Sequence, residues 1–168
     1  MEVFANEQAL EELKATLKKQ ASWFYWIAGL SLVNTIAIAS GADFAFIMGL
    51  GITQIIDAIG FTLAEEGVAF ASTATTIISL IICGLYGAIG YMAINQSKVA
   101  HLVGIILYSL DTLIFLVFFD IMPLAFHGLA LFFLFKGFQT QKDIKAVQEA
   151  LKQTPEEPML RIDPQDSI

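Results

Sequence analysis

The sequence predicts an all-α integral membrane protein: a four-transmembrane-helix bundle with a re-entrant or interfacial helix on the outer side. Three observations carry this reading. Of 168 residues, 57% are hydrophobic and only 15% charged, and the mean hydropathy of +0.70 lies beyond the range of soluble domains. The apolar residues gather into separate runs, each near the length of about 20 helical residues that a bilayer core requires. All nine Lys and Arg lie within residues 14–19, at Lys98, or from Lys136 onward, so no basic residue interrupts the chain from Lys19 to Lys98.

Residues 1–22 read as an amphipathic N-terminal helix on the cytoplasmic side. Leu10, Leu13 and Leu17 recur at helical spacing, and Asn6 suits the first-turn cap. Glu7, Glu11 and Glu12 sit toward its start and Lys14, Lys18 and Lys19 toward its end, as the helix dipole favours. The helix serves as a lead-in to the first span, or alternatively as an interfacial or partner-binding element. Trp23, Phe24, Tyr25 and Trp26 form an aromatic belt that opens a span over 23–40. Ala37-Ile38-Ala39 has the small-x-small pattern of a signal-peptide cleavage site, but four acids precede the apolar run, which suits a span better.

Residues 43–60 are apolar yet short for a crossing, and Thr53, Gln54 and Asp57 make a narrow polar stripe. Charge decides between crossing and re-entry. A full crossing would put Lys98 and the basic C-terminal region on the side opposite the N-terminal lysines, whereas re-entry leaves every Lys and Arg on one face. The segment is therefore expected to be re-entrant or interfacial, covered by protein at its irregular points. The second span, 73–95, carries Gly84, Gly87, Ala88 and Gly90, a small-residue face for close helix packing within the chain. Spans at 101–119 and 121–137 follow as a hairpin turning near Asp120, with Pro123 in a first turn where its missing N–H costs least. Residues 138–153 suit a cytoplasmic helix, and 154–168, with three prolines and no periodicity, a disordered tail.

The hairpin contains the residues that most need explaining. Asp111 and His127 lie inside otherwise apolar segments, where ionisable groups are expensive. At a rise of about 1.5 Å per residue, Asp111 lies roughly 12 Å and His127 roughly 9 Å below the hairpin's outer end. The same reckoning puts Asn34 and Cys83 about 9 and 13 Å deep in the first and second spans, so these four side chains fall in one layer. Asp57 can face that layer from the outer segment. Two readings are open: an Asp–His site that shares or passes a proton, or a polar knot in which Asp111 bonds Asn34, Tyr108 or Thr112 and holds helices together.

Other chemistries find no support. A sequence pI near 4.6 argues against nucleic acid, which needs concentrated positive charge. A single cysteine, Cys83, excludes an intrachain disulfide. His101 belongs at the inner boundary beside Lys98 and His127 near the outer end, so they neither bridge a haem nor complete a metal set. No cofactor is expected, and no G-x-S-x-G, H-E-x-x-H or P-loop pattern occurs. The functional expectation is a non-enzymatic bacterial inner-membrane protein with both termini cytoplasmic, acting as a proton-coupled or small-solute transport element or as a subunit of a membrane assembly. Membrane lipids are its expected partners, together with a homo-oligomer formed through the Gly84–Gly90 face or the Phe-rich surface of residues 115–135. The alternatives are a membrane enzyme or lipid-binding protein using the Asp111, His127 and Asp57 site, and an interaction scaffold using the cytoplasmic helices.

Overall fold

The computed structural model describes residues 2–41 and 49–153. Residues 43–48 of the expected re-entrant segment, and the expected tail 154–168, lie outside the described residues. Within them the chain forms six helices: α1 (Glu2–Ala21), α2 (Trp23–Ala39), α3 (Gly51–Glu65), α4 (Ala71–Ile94), α5 (Lys98–Val117) and α6 (Ile121–Gln153). Four helical stretches are long and apolar enough to cross a membrane: Phe4–Ala39, α4, α5 and α6. α1 and α2 run almost continuously, because Ser22 keeps helical angles (φ −63, ψ −13) and its N–H still reaches Lys18 O at 3.0 Å.

The distribution of side chains is the reverse of a soluble bundle. Ser31, Asn34, Thr35, Thr53, Asp57, Ser79, His101, Asp111 and His127 are all buried, while Ile36, Ile77, Ile81, Leu85, Ile106, Leu110 and Phe132 are exposed. In a hydrocarbon solvent aliphatic side chains gain nothing by hiding, whereas polar groups find partners only inside the protein.

Local signals set the turns. After α4, Gln96 takes a left-handed φ of 67 and Ser97 N bonds back to Met92 O at 2.9 Å, the Schellman stop. Ser97 then caps α5, its hydroxyl accepting from Ala100 N. The α5–α6 hairpin closes in the same way, with Phe119 at φ 52 and Asp120 N on Phe115 O. Beyond it, the expected span 121–137 and helix 138–153 are one continuous α6. Its far half packs antiparallel on α1, where Leu17, Ala21 and Ile144 are buried and Thr140 donates to Gln20 Oε1 at 2.8 Å.

Two expectations about helix faces need correcting. Of the aromatic quartet only Tyr25 and Trp26 face outward; Phe24 is wholly buried and Trp23 stacks on Phe133 at 4.9 Å. Of the small-residue face of α4, only Gly90 packs against a neighbour. A Cβ there would lie 2.9 Å from Phe24 Cβ, whereas one on Gly84 or Gly87 would meet nothing within 4 Å, and Ala88 is exposed. The inward face of α4 is set instead by Ser79, Cys83, Tyr86, Gly90 and Ala93, at steps of three and four, which turns Gly84 and Ala88 outward and leaves Gly87 half-buried at its flank.

α3 is the element that positions the site. Leu50 N donates to Ser31 Oγ at 2.7 Å, so after α2 ends the chain has returned about 12 Å into the bundle by helical rise. From there α3 climbs beside α2 and meets α4 running the other way, its Thr53, Asp57 and Gly60 facing inward. Fifteen residues span only about 22 Å, less than a bilayer core.

Candidate functional site

A helix that begins inside a bundle leaves its first N–H groups without intrahelical partners, and lipid offers no water to receive them. Asp111 solves this for α3. Its Oδ2 accepts from Gly51 N and its Oδ1 from Ile52 N, both at 2.9 Å. A carboxylate at the positive end of a helix is also electrostatically matched. The spacing Gly104, Tyr108, Asp111, Phe115 forms one buried face of α5, which points the carboxylate inward.

His127 reaches the same carboxylate from α6. Its Nε2 lies 3.0 Å from Asp111 Oδ2 and its Nδ1 2.8 Å from Pro123 O. A backbone carbonyl only accepts, so Nδ1 carries a hydrogen. The Nε2···Oδ2 contact then holds one further proton, placed on the imidazole or on the carboxyl, and in either placement the pair has no net charge. Tyr108 stacks on the imidazole at 4.6 Å and Phe115 lies tilted against it at 4.7 Å, which fixes the plane of the ring. Both side chains are almost wholly buried.

The structure thus brings together Asp111 and His127, and it adds residues that sequence reasoning did not single out: Ser31, which holds Leu50, and the backbone of Gly51 and Ile52. The signal for Ser31 lies in α2, where Ser31, Asn34 and Thr35 make one polar stripe in an apolar helix. Asn34 is buried and covers the approach to α3, its Nδ2 lying 3.1 Å from where a Cβ on Gly49 would stand.

Asp57 does not join this cluster. It lies six residues beyond Gly51 along α3, about 9 Å by rise, where Thr35 Oγ1 donates to Oδ2 at 2.7 Å and Ser79 Oγ to Oδ1 at 2.8 Å. It ties α3 to α2 and α4 as a second fastening. We expect Asp57→Ala to lower stability in detergent by only about 1–2 kcal/mol, because both hydroxyls can turn back to carbonyls of their own helices. Thermal unfolding of the purified protein measures this.

Cys83 is also buried, one turn beyond Ser79 on α4. At the other end of the bundle His101 is fully buried, with its Nε2–H on Leu134 O at 2.9 Å and its ring edge-on to Phe24. It is remote from His127, as the sequence indicates. Among the described residues no group of three or more His, Cys, Asp and Glu side chains could hold a metal ion.

One cavity, about 380 Å³, reaches Asp111. It lies in the seam between α4 and α5 under Ile52, with Ile82, Leu85, Ile89, Leu107, Leu110 and Ile114 as walls and Tyr86 and Asp111 as its polar groups. Fold and site together define a helical integral membrane protein built around a fastened half-helix. Comparison of the chain with protein-family models, with curated proteins and with solved structures finds no match.

Proposed function

We propose that the chain is a non-enzymatic, proton-coupled transport element in which α3 is the moving part. One observation carries this reading: the carboxylate that holds the N-terminus of α3 is also the carboxylate that shares a proton with His127. Discontinuous helices whose ends meet ionic groups within the bilayer are a recurrent device for alternating access, and ionisable pairs at that depth commonly relay protons.

Counting hydrogens gives the coupling. With one shared proton every donor at the site has an acceptor. A second proton would put an O–H among three N–H donors with no acceptor for it among the described partners. Removing the shared proton leaves the imidazole one hydrogen for two acceptors, Asp111 Oδ2 and Pro123 O, so one contact fails. α3 is therefore held most firmly in the singly protonated state and loosened on either side of it.

The topology that accompanies this reading is a bacterial inner-membrane one with both termini cytoplasmic. It is supported by the positive-inside rule, since Lys18 and Lys19 close α1, Lys98 opens α5 and Lys136 follows the apolar part of α6.

Hydrogen exchange of the 49–58 segment, corrected for the intrinsic pH dependence, tests the coupling. Protection should pass through a maximum with pH in the wild type, and His127→Gln, whose amide can still donate to Asp111, should lose the alkaline fall while keeping the maximum's height. Protection that is flat across the range overturns the reading.

A further inference from the structure

The cavity at the α4–α5 seam combines features that a packing defect would not. Its walls are aliphatic, its polar floor is Asp111 with Tyr86 beside it, and it opens between helices whose neighbouring side chains, Leu85 and Leu110, are more than half exposed on the outer surface of the bundle. In a membrane that surface faces hydrocarbon, so a ligand enters from the bilayer and needs an apolar body. At about 380 Å³ the space falls within the range of small-molecule sites, which pair apolar walls with a few convergent polar groups.

The polar group at the floor selects the charge. A carboxylate has about four lone-pair sites, and among the described residues Asp111 uses three: two on Oδ2 and one on Oδ1. The remaining position is on Oδ1. No Lys or Arg lies between Lys19 and Lys98 or between Lys98 and Lys136, so the only positive charge available to Asp111 inside the apolar segments is the proton it shares with His127. Tyr86 adds an aromatic ring of the kind that attracts weakly hydrated cations.

We propose that this cavity binds a lipophilic cation, a delocalised or quaternary centre in an apolar shell, in exchange for the Asp111–His127 proton. This rests on reading the pair as proton-exchanging. The exchange balances: one monovalent cation enters, the one proton shared between Asp111 Oδ2 and His127 Nε2 leaves to water, and the previously neutral pair is left as an Asp111 carboxylate facing the cation and a neutral His127 with its Nδ1–H on Pro123 O. No covalent bond forms or breaks other than the one to that proton.

Tetraphenylphosphonium added to the full-length protein in weakly buffered detergent tests the inference. Binding should be saturable, release one proton per cation, and weaken by about tenfold per unit of pH on the acid side, as one-for-one linkage requires. Leu110→Trp fills the cavity from its exposed wall and replaces none of the groups that bond Asp111; it should abolish cation binding and leave the pH response of α3 exchange in place. No binding, as when an acyl chain holds the seam, overturns the inference, and so does binding without proton release or binding that Leu110→Trp and Asp111→Asn both retain. If α3 responds to pH while no cation binds, the ligand assignment alone falls. If α3 fails to respond, the proton-coupled reading falls whatever the cation does.

Discussion

Asp111→Ala should cost about 3–5 kcal/mol of stability in detergent or bilayer, and should release α3 before the rest of the bundle unfolds. Hydrogen bonds between spans contribute only about 0.6 kcal/mol each on average, since a displaced side chain usually finds another partner. That average does not apply here. Gly51 N and Ile52 N both donate to Asp111, and a backbone N–H stranded inside a bundle has neither water nor a mobile side chain to turn to. His127 also loses the acceptor of its Nε2. Thermal unfolding gives the total, and exchange of residues 49–58 locates it. A loss below about 1 kcal/mol, no more than one ordinary neutral hydrogen bond, would mean that α3 is not held by this carboxylate.

The second large effect is expected at Gly60. α3 and α4 approach so closely there that a Cβ would collide with Thr75, including contacts of 2.7 Å to its Cβ and 2.9 Å to its Cγ2. Thr75 has little room to yield, being β-branched and bonded through its hydroxyl to Ala71 O and Ser72 O at 3.1 Å. Gly60→Ala should cost about 1–3 kcal/mol as overpacking, and Gly60→Leu more. Because Asp57 and Ser79 meet one turn away, the larger side chain should break that bond as well and free the Glu65 end of α3. A double-mutant cycle isolates the cause: Thr75→Gly combined with Gly60→Ala should recover most of the loss. If the two losses simply add, the close approach is not what the glycine is for.

These two positions also show how far the sequence could be read. Asp111 is conspicuous in any hydropathy profile, and the 1.5 Å rise of a helix is enough to put it level with His127 across a hairpin. Gly60 gives no such signal. It is one of 12 glycines, and Gly84 and Gly87, which look more like a packing motif, have nothing beside them. The difference lies in rotation about the helix axis, which only the arrangement of the neighbouring helices fixes. The same holds for Phe24. The sequence places it in an aromatic belt, and the structure buries it because Gly90 has no Cβ to obstruct its Cβ and Gly104 none to obstruct its ring.

What the sequence by itself determined is the quantity that adds up residue by residue: hydropathy, hence four helices long and apolar enough to cross a membrane, and depth along each of them. Helix length and burial in hydrocarbon are local properties, and the cost of a charge at a given depth does not depend on which helix lies alongside. What only the tertiary structure decided is which donors face the charge. The partners of Asp111 that define the site are the backbone N–H groups of Gly51 and Ile52, 60 and 59 residues earlier. Backbone amides are the same at every residue, so nothing in the identity of a side chain marks two of them as a binding partner. They become one only when α3 begins at that depth, held by Ser31 on one side and the α5–α6 hairpin on the other.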